Sequence, residues 1–266
     1  ISALILVPLV IWGIFRLDDT GFAVAVLLVL SMCAWEWSKF IPLHSLLYQV
    51  FYTCSVILAI AIVWQFADHP VFVNSFLWLT LGWWLFVLFW ISRPGLIPPG
   101  LTASLIKGVA GWLLMTSCWL ALVMLHARID NGPFWVFFVL SLIWVADSGA
   151  YFSGRQWGKR KLAPQVSPGK TWAGVYGALA ACGLYALLAS WLFKLTGKDI
   201  PGFLLVCMLT VLFSVAGDLF ESLLKRQQNM KDSGKMIPGH GGILDRLDSL
   251  LAAAPIFVLG LSWANI

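Results

Sequence analysis

The sequence predicts an all-α polytopic membrane protein, with about nine transmembrane helices in one integrated domain. Three observations carry this. Hydrophobic residues make up 61% of the chain and charged residues only 11%, which excludes an ordinary soluble domain. The apolar residues fall in long runs, and about 20 mostly apolar residues are needed to cross the hydrocarbon core. The chain also carries 16 Trp and 18 Phe, side chains that anchor helices at both membrane interfaces.

In order, the spans are expected at residues 1–15, 21–37, 48–66, 75–92, 108–126, 134–153, 173–193, 203–220 and 249–266. The first is short. Pro94, Pro98, Pro99 and Gly100 break the chain after the fourth. No internal repeat or low-complexity tract stands out. No cleavable signal peptide is expected, because Arg16, Asp18 and Asp19 follow the first run without a small-residue cleavage site. A few residues are expected to precede Ile1.

Loop charge gives an orientation. Thirteen of the seventeen basic residues follow the even-numbered spans, among them Lys39, Arg93, Lys107 and the clusters after spans six and eight. The positive-inside rule puts those loops in the cytoplasm, with the N-terminus inside and the C-terminus outside. The net charge of +5 therefore suits anionic lipid or a phosphorylated substrate, and nucleic acid is not an expected partner. The five cysteines lie singly and far apart in apolar runs, which reads as small buried hydrophobes rather than metal ligands.

The densest polar stretch is 214–249, with five of the twelve acidic and five of the seventeen basic residues. Asp218, Glu221, Ser222 and Lys225 share one face if the eighth span continues as a helix. Glu221 and Lys225 also form a plain i, i+4 pair, worth about 0.3 kcal/mol, so structure alone explains those two. It does not explain Asp218, further up the apolar run. A glycine-rich connector follows, with Lys231, Asp232, His240, Gly241 and Gly242, and glycines let backbone amides approach an anion. It leads into Asp245, Arg246 and Asp248. Two carboxylates spaced i, i+3 repel unless a divalent cation joins them, and hard oxygen ligands select Mg²⁺. The competing reading is stabilisation of a helix N-terminus.

Two further places attract interest. Asp147 lies late in the sixth span, where a carboxylate costs about 2.5–3.5 kcal/mol on insertion scales. It is either a site residue or an interfacial carboxylate solvated by headgroups. In 154–172, Lys159, Arg160 and Lys161 read as a solvated, lipid-facing patch. Pro168 and Gly169 are expected to shape a turn that presents Lys170 as a phosphate binder. A P-loop is rejected, because Pro164 stands where the pattern needs glycine and no strand precedes it. His44, His69 and His126 read as isolated and without a role.

Three stretches together resemble the phosphatidate cytidylyltransferases (CDP-diacylglycerol synthases). They are Ser222 to Asp248, WVADSGAY at 144–151 and KLAPQVSPGKTW at 161–172, with the short AWEW at 34–37 agreeing as well. The resemblance implies transfer of CMP from CTP to phosphatidic acid within the membrane lipids, giving CDP-diacylglycerol and pyrophosphate. It implies dependence on Mg²⁺ held at Asp218 and Asp245, with room for a second cation. The catalytic set is then expected to comprise Asp218, Asp245, Lys225, Asp248 and Asp147. Substrate contacts are expected from Ser167, Lys170, Arg226, Lys231, Asp232, His240, Gly241, Gly242 and Arg246. The chain reads as one domain over 1–266, with N-terminal spans in 1–133 and the catalytic spans and loops in 134–266. A bacterial inner membrane with the site facing the cytoplasm, and a homodimer, complete the expectation. The alternatives are a CTP-dependent polyprenol kinase and an ion-coupled transporter, the latter disfavoured by the lack of an inverted repeat.

Overall fold

A computed structural model describes residues 2–41, 45–97, 100–128, 130–234, 236 and 241–266. Among them are nine α-helices: α1 (Ser2–Arg16), α2 (Asp19–Trp37), α3 (Leu46–Gln65), α4 (Pro70–Ser92), α5 (Leu101–Arg128), α6 (Gly132–Trp157), α7 (Trp172–Leu192), α8 (Ile200–Gln227) and α9 (Leu244–Ala264). A 3-10 turn (Ser38–Phe40) extends α2. Eight of the helices are long and apolar enough to cross a membrane, and α1 is not among them. At 1.5 Å per residue its 15 residues reach about 22 Å, short of the ~30 Å core.

The helices outrun the expected spans where polar residues begin. The fifth starts at Leu101 rather than 108, so Lys107 lies within α5 and is 4% exposed, not in a loop. The eighth continues to Gln227, and the ninth starts at Leu244. Hydropathy marks the lipid-bathed length, whereas backbone hydrogen bonding carries a helix on into polar surroundings. Asp218, Glu221, Lys225, Asp245 and Asp248 are consequently all helical.

Side-chain caps begin three helices. Asp18 accepts from Gly21 N, Ser45 from Tyr48 N and Thr171 from Gly174 N. Small residues let helix pairs close up. A methyl at Gly177 would lie 1.9 Å from Ser153 Oγ between α6 and α7. One at Gly217 would lie 2.5 Å from the Asp248 carbonyl, between α8 and α9. Without a hydrophobic drive between helices in lipid, such close packing is a main source of association.

Three expectations are corrected. Pro168 and Gly169 do not form a turn: they lie on β2 (Ser167–Thr171), which pairs antiparallel with β1 (Lys161–Ala163). The turn is at Pro164–Gln165, closed by Val166 N to the Ala163 carbonyl at 3.1 Å. A two-stranded ribbon has free edges, so proline is tolerated in it. Cys54 is exposed, while the other four cysteines are buried. His126 is not idle either: its Nδ1 is 2.8 Å from Asp19 Oδ1 and its Nε2 is 3.0 Å from the Ile14 carbonyl.

Candidate functional site

The β-hairpin, α6, α8 and α9 bring distant residues of the sequence together. Lys170 projects from β2 to Asp218 on α8, with Nζ 2.6 Å from Oδ2. Ser222 Oγ, one turn along α8, is 3.4 Å from Asp218 Oδ1. Asp147 of α6, an exposed side chain, lies within electrostatic reach of both Asp218 and Lys170. Asp248 of α9 completes this first nest, within reach of the same two.

The second nest centres on Lys225. Its ammonium donates to Glu221 Oε2 at 3.1 Å and to Asp245 Oδ1 at 2.8 Å. The i, i+4 pair is therefore half of a three-group arrangement joining α8 to α9. The side chains are 14% (Lys225), 2% (Glu221) and 10% (Asp245) exposed, so screening by water is weak. Asp245 also accepts from Ser233 N, at 3.2 Å to Oδ1 and 3.1 Å to Oδ2, and from Gly242 N at 2.8 Å.

Glu221 and Asp248 connect the nests. Their carboxyl groups lie close enough to interact, and among the described residues Glu221 Oε1 is buried without a donor. Two carboxyls that close need a shared proton or a cation. With Asp147, Asp218 and Asp245 the site gathers five carboxyl groups against the ammoniums of Lys170 and Lys225. This all-oxygen, acid-rich donor set fits a hard divalent cation. Among the described residues no three His, Cys, Asp or Glu side chains form a ready-made cage. Asp218 and Asp245 are each held by their own lysine.

Other expected substrate residues form a looser ring. Arg226, Lys231, Asp232 and Arg246 are exposed, and Ser167 is half-buried on β2. Gly241 takes a left-handed φ of 84°, which suits glycine. His240 lies outside the described residues.

Glu36 on α2 escaped the sequence reading. It is fully buried, and its Oε2 accepts from Leu244 N at 2.9 Å and Ser233 Oγ at 3.2 Å. The available signal was a carboxylate between Trp35 and Trp37 in an otherwise apolar run. The amides of the glycine-rich connector were expected to face substrate phosphate. Three of those described meet protein carboxylates instead: Ser233 N and Gly242 N donate to Asp245, and Leu244 N donates to Glu36.

Comparison with known proteins identifies the family. The model of the cytidylyltransferase family matches residues 1–263. A phosphatidate cytidylyltransferase of Pseudomonas aeruginosa is 39% identical over 267 residues, covering 99% of this chain and 96% of that one. One of Haemophilus influenzae is 37% identical over 286 residues, with coverage of 97% and 95%. One of Bacillus subtilis is 43% identical over 135 residues, about half of each chain. With a whole-length match to the family and to two such relatives, this chain belongs to the cytidylyltransferase family.

Proposed function

We propose that this protein transfers the cytidylyl group of CTP to phosphatidate, giving CDP-diacylglycerol and pyrophosphate for phospholipid synthesis. One observation carries the assignment of this chemistry to the site. Residues 147, 170, 218, 225, 245 and 248, scattered over three stretches of the sequence, meet in one pair of linked nests. The full-length likeness to phosphatidate cytidylyltransferases supports the choice of substrates. All of 1–266 acts as one domain in this reading.

The chemistry needs no activated serine or cysteine. A phosphate oxygen of the lipid, already anionic near neutral pH, attacks the α-phosphorus of CTP. A new P–O bond forms, and the bond to the bridging oxygen breaks, sending its electron pair to pyrophosphate. The protein's task is positioning and charge neutralisation. Lys170 and Lys225 stand at the two carboxylate nests, where they can exchange a carboxylate partner for a phosphate oxygen. Arg226, Lys231 and Arg246, exposed around the nests, receive the triphosphate and the leaving pyrophosphate, with Ser167, Asp232, His240, Gly241 and Gly242 shaping the approach. Mg²⁺ would be held by Asp218 and Asp245, with Asp248 and Asp147 beside them, and would neutralise charge on the phosphates. The acyl chains stay in the bilayer, and CTP arrives from the cytoplasm, the side favoured by loop charge.

Turnover of CTP with phosphatidate by the purified protein, with and without Mg²⁺, tests this directly. Label on the α-phosphate of CTP should enter the lipid. Transfer of γ-phosphate label instead would replace the reading with a lipid kinase. Asp218→Asn and Asp245→Asn should each fold and lose nearly all turnover. Full activity in either removes that residue from the proposed metal set.

A further inference from the structure

We infer that Glu36, in the N-terminal half of the chain, is a positioning residue for Asp245, acting through Ser233. This rests on the cytidylyltransferase reading of the site. Glu36 lies outside both nests, yet the described ends of the α8–α9 connector pack against it. Its Oε2 accepts from Ser233 Oγ and from Leu244 N, the first residue of α9. The same Ser233 donates its backbone N–H to both oxygens of Asp245. One residue thus ties a carboxylate on α2 to a carboxylate on α9.

Three further details show that the fit is specific. A Cβ on Gly234 would lie 1.8 Å from Glu36 Oε1, and one on Gly242 would lie 2.4 Å from Oε2. Gly234 needs to be glycine because Glu36 lies against its backbone, and Gly242 because Ser233 Oγ, 2.1 Å from the added Cβ, and Glu36 both do. The end of α2 and its 3-10 extension add two more grips: Lys39 Nζ donates to the Ser233 carbonyl at 3.1 Å, and Gln228 Nε2 donates to the Phe40 carbonyl at 3.0 Å. A fully buried carboxylate is costly, and among the described residues Glu36 Oε1 has no donor. Packing alone would be served better by an apolar side chain, so a carboxyl group at this position points to a task. That task is to hold Ser233 where its amide fixes the orientation of Asp245, as outer-shell partners orient metal ligands.

The test compares Glu36→Gln, Ser233→Ala and Asp245→Asn in the detergent-purified full chain. Mn²⁺ binding is measured without nucleotide by loss of the free-ion electron paramagnetic resonance signal. Turnover is then measured against Mg²⁺ concentration and against each substrate. Replacing an outer-shell partner costs about 10–100-fold in metal affinity or activity. Glu36→Gln and Ser233→Ala should each weaken Mn²⁺ binding by that factor and move the Mg²⁺ response to higher concentration, with the KM for phosphatidate unchanged. Wild-type Mn²⁺ affinity in a folded Glu36→Gln protein overturns the inference. If that variant does not fold, Ser233→Ala decides on the same criterion. Should Asp245→Asn itself bind Mn²⁺ like the wild type, the metal assignment fails and not the role of Glu36.

Discussion

Lys225 should be worth more to this protein than an ordinary helical i, i+4 lysine. Replacing it by Met keeps the length and apolar stem but removes the ammonium between Glu221 and Asp245. At an effective dielectric of about 20, contacts at 3.1 and 2.8 Å each represent roughly 5–6 kcal/mol of gross attraction. Most of that offsets desolvation. Removing one partner from such a buried arrangement leaves uncompensated charge and costs about 3–5 kcal/mol. The lower end applies, because Lys225 and Asp245 keep some exposure and Asp245 retains its amide donors. For a chain of this size about 3 kcal/mol corresponds to a Tm lowered by about 6–12 °C. Detergent melts at one fixed scan rate measure it, since membrane-protein unfolding is often irreversible. Activity is no guide, because Lys225 is also placed in the substrate machinery. The decisive comparison adds Glu221→Gln to Lys225→Met: removing the orphaned charge should raise the Tm of the single variant. A double variant that melts lower, by the sum of the two single effects, would refute the three-group account. So would a Lys225→Met protein that melts like the wild type.

Two further outcomes are expected. Gly111→Ala places a methyl 2.1 Å from Tyr52 Oη and 2.5 Å from Trp37 Nε1, atoms tethered to the carbonyls of Gly108 and Lys107. It should cost about 1–3 kcal/mol, read as a lower Tm and relieved in part by Tyr52→Phe; an unchanged Tm contradicts the packing. For orientation, a membrane-impermeant thiol reagent applied from the cytoplasmic side should label Lys235→Cys but not Lys198→Cys, and the reverse pattern would invert the proposed topology.

Much of the fold was legible because lipid makes composition speak. A run of apolar residues has few options in a bilayer other than a helix, and eight of the expected spans correspond to long apolar helices. The spacing of Asp218, Glu221, Ser222 and Lys225 was legible for a related reason, since the helical period continues past the apolar run. Lys170 was found from its place before a span, but not its support. Hydropathy and turn residues gave no hint that Pro168 and Gly169 lie in a strand, which depends on pairing with β1. Glu36 was hidden by distance along the chain, because its partners Ser233 and Leu244 lie 197 and 208 residues away. No local pattern encodes such a contact. Only the cost of a carboxylate in an apolar run signals that it exists.

The connector shows how one local pattern can serve a different physical need. Glycines beside basic residues suggest backbone amides aimed at phosphate. Here the amides of Ser233, Gly242 and Leu244 are taken by Asp245 and Glu36, Gly234 leaves room for Glu36, and Gly242 leaves room for Glu36 and the Ser233 hydroxyl. Those three donors are already engaged, so in the proposed reaction they are not offered to phosphate, which leaves a larger part to side chains. Those chains are the lysines of the two nests and the exposed Arg226, Lys231 and Arg246. A carboxylate-anchored loop is also stiffer than one that waits for its ligand, because its amides are satisfied beforehand. Pre-ordering of this kind suits a reaction that relies on orientation and charge rather than on a protein nucleophile. The N-terminal helices then do more than fill the membrane: through α2 they hold Ser233 and Leu244, at the two ends of the connector, with contacts that residues 214–249 do not supply alone.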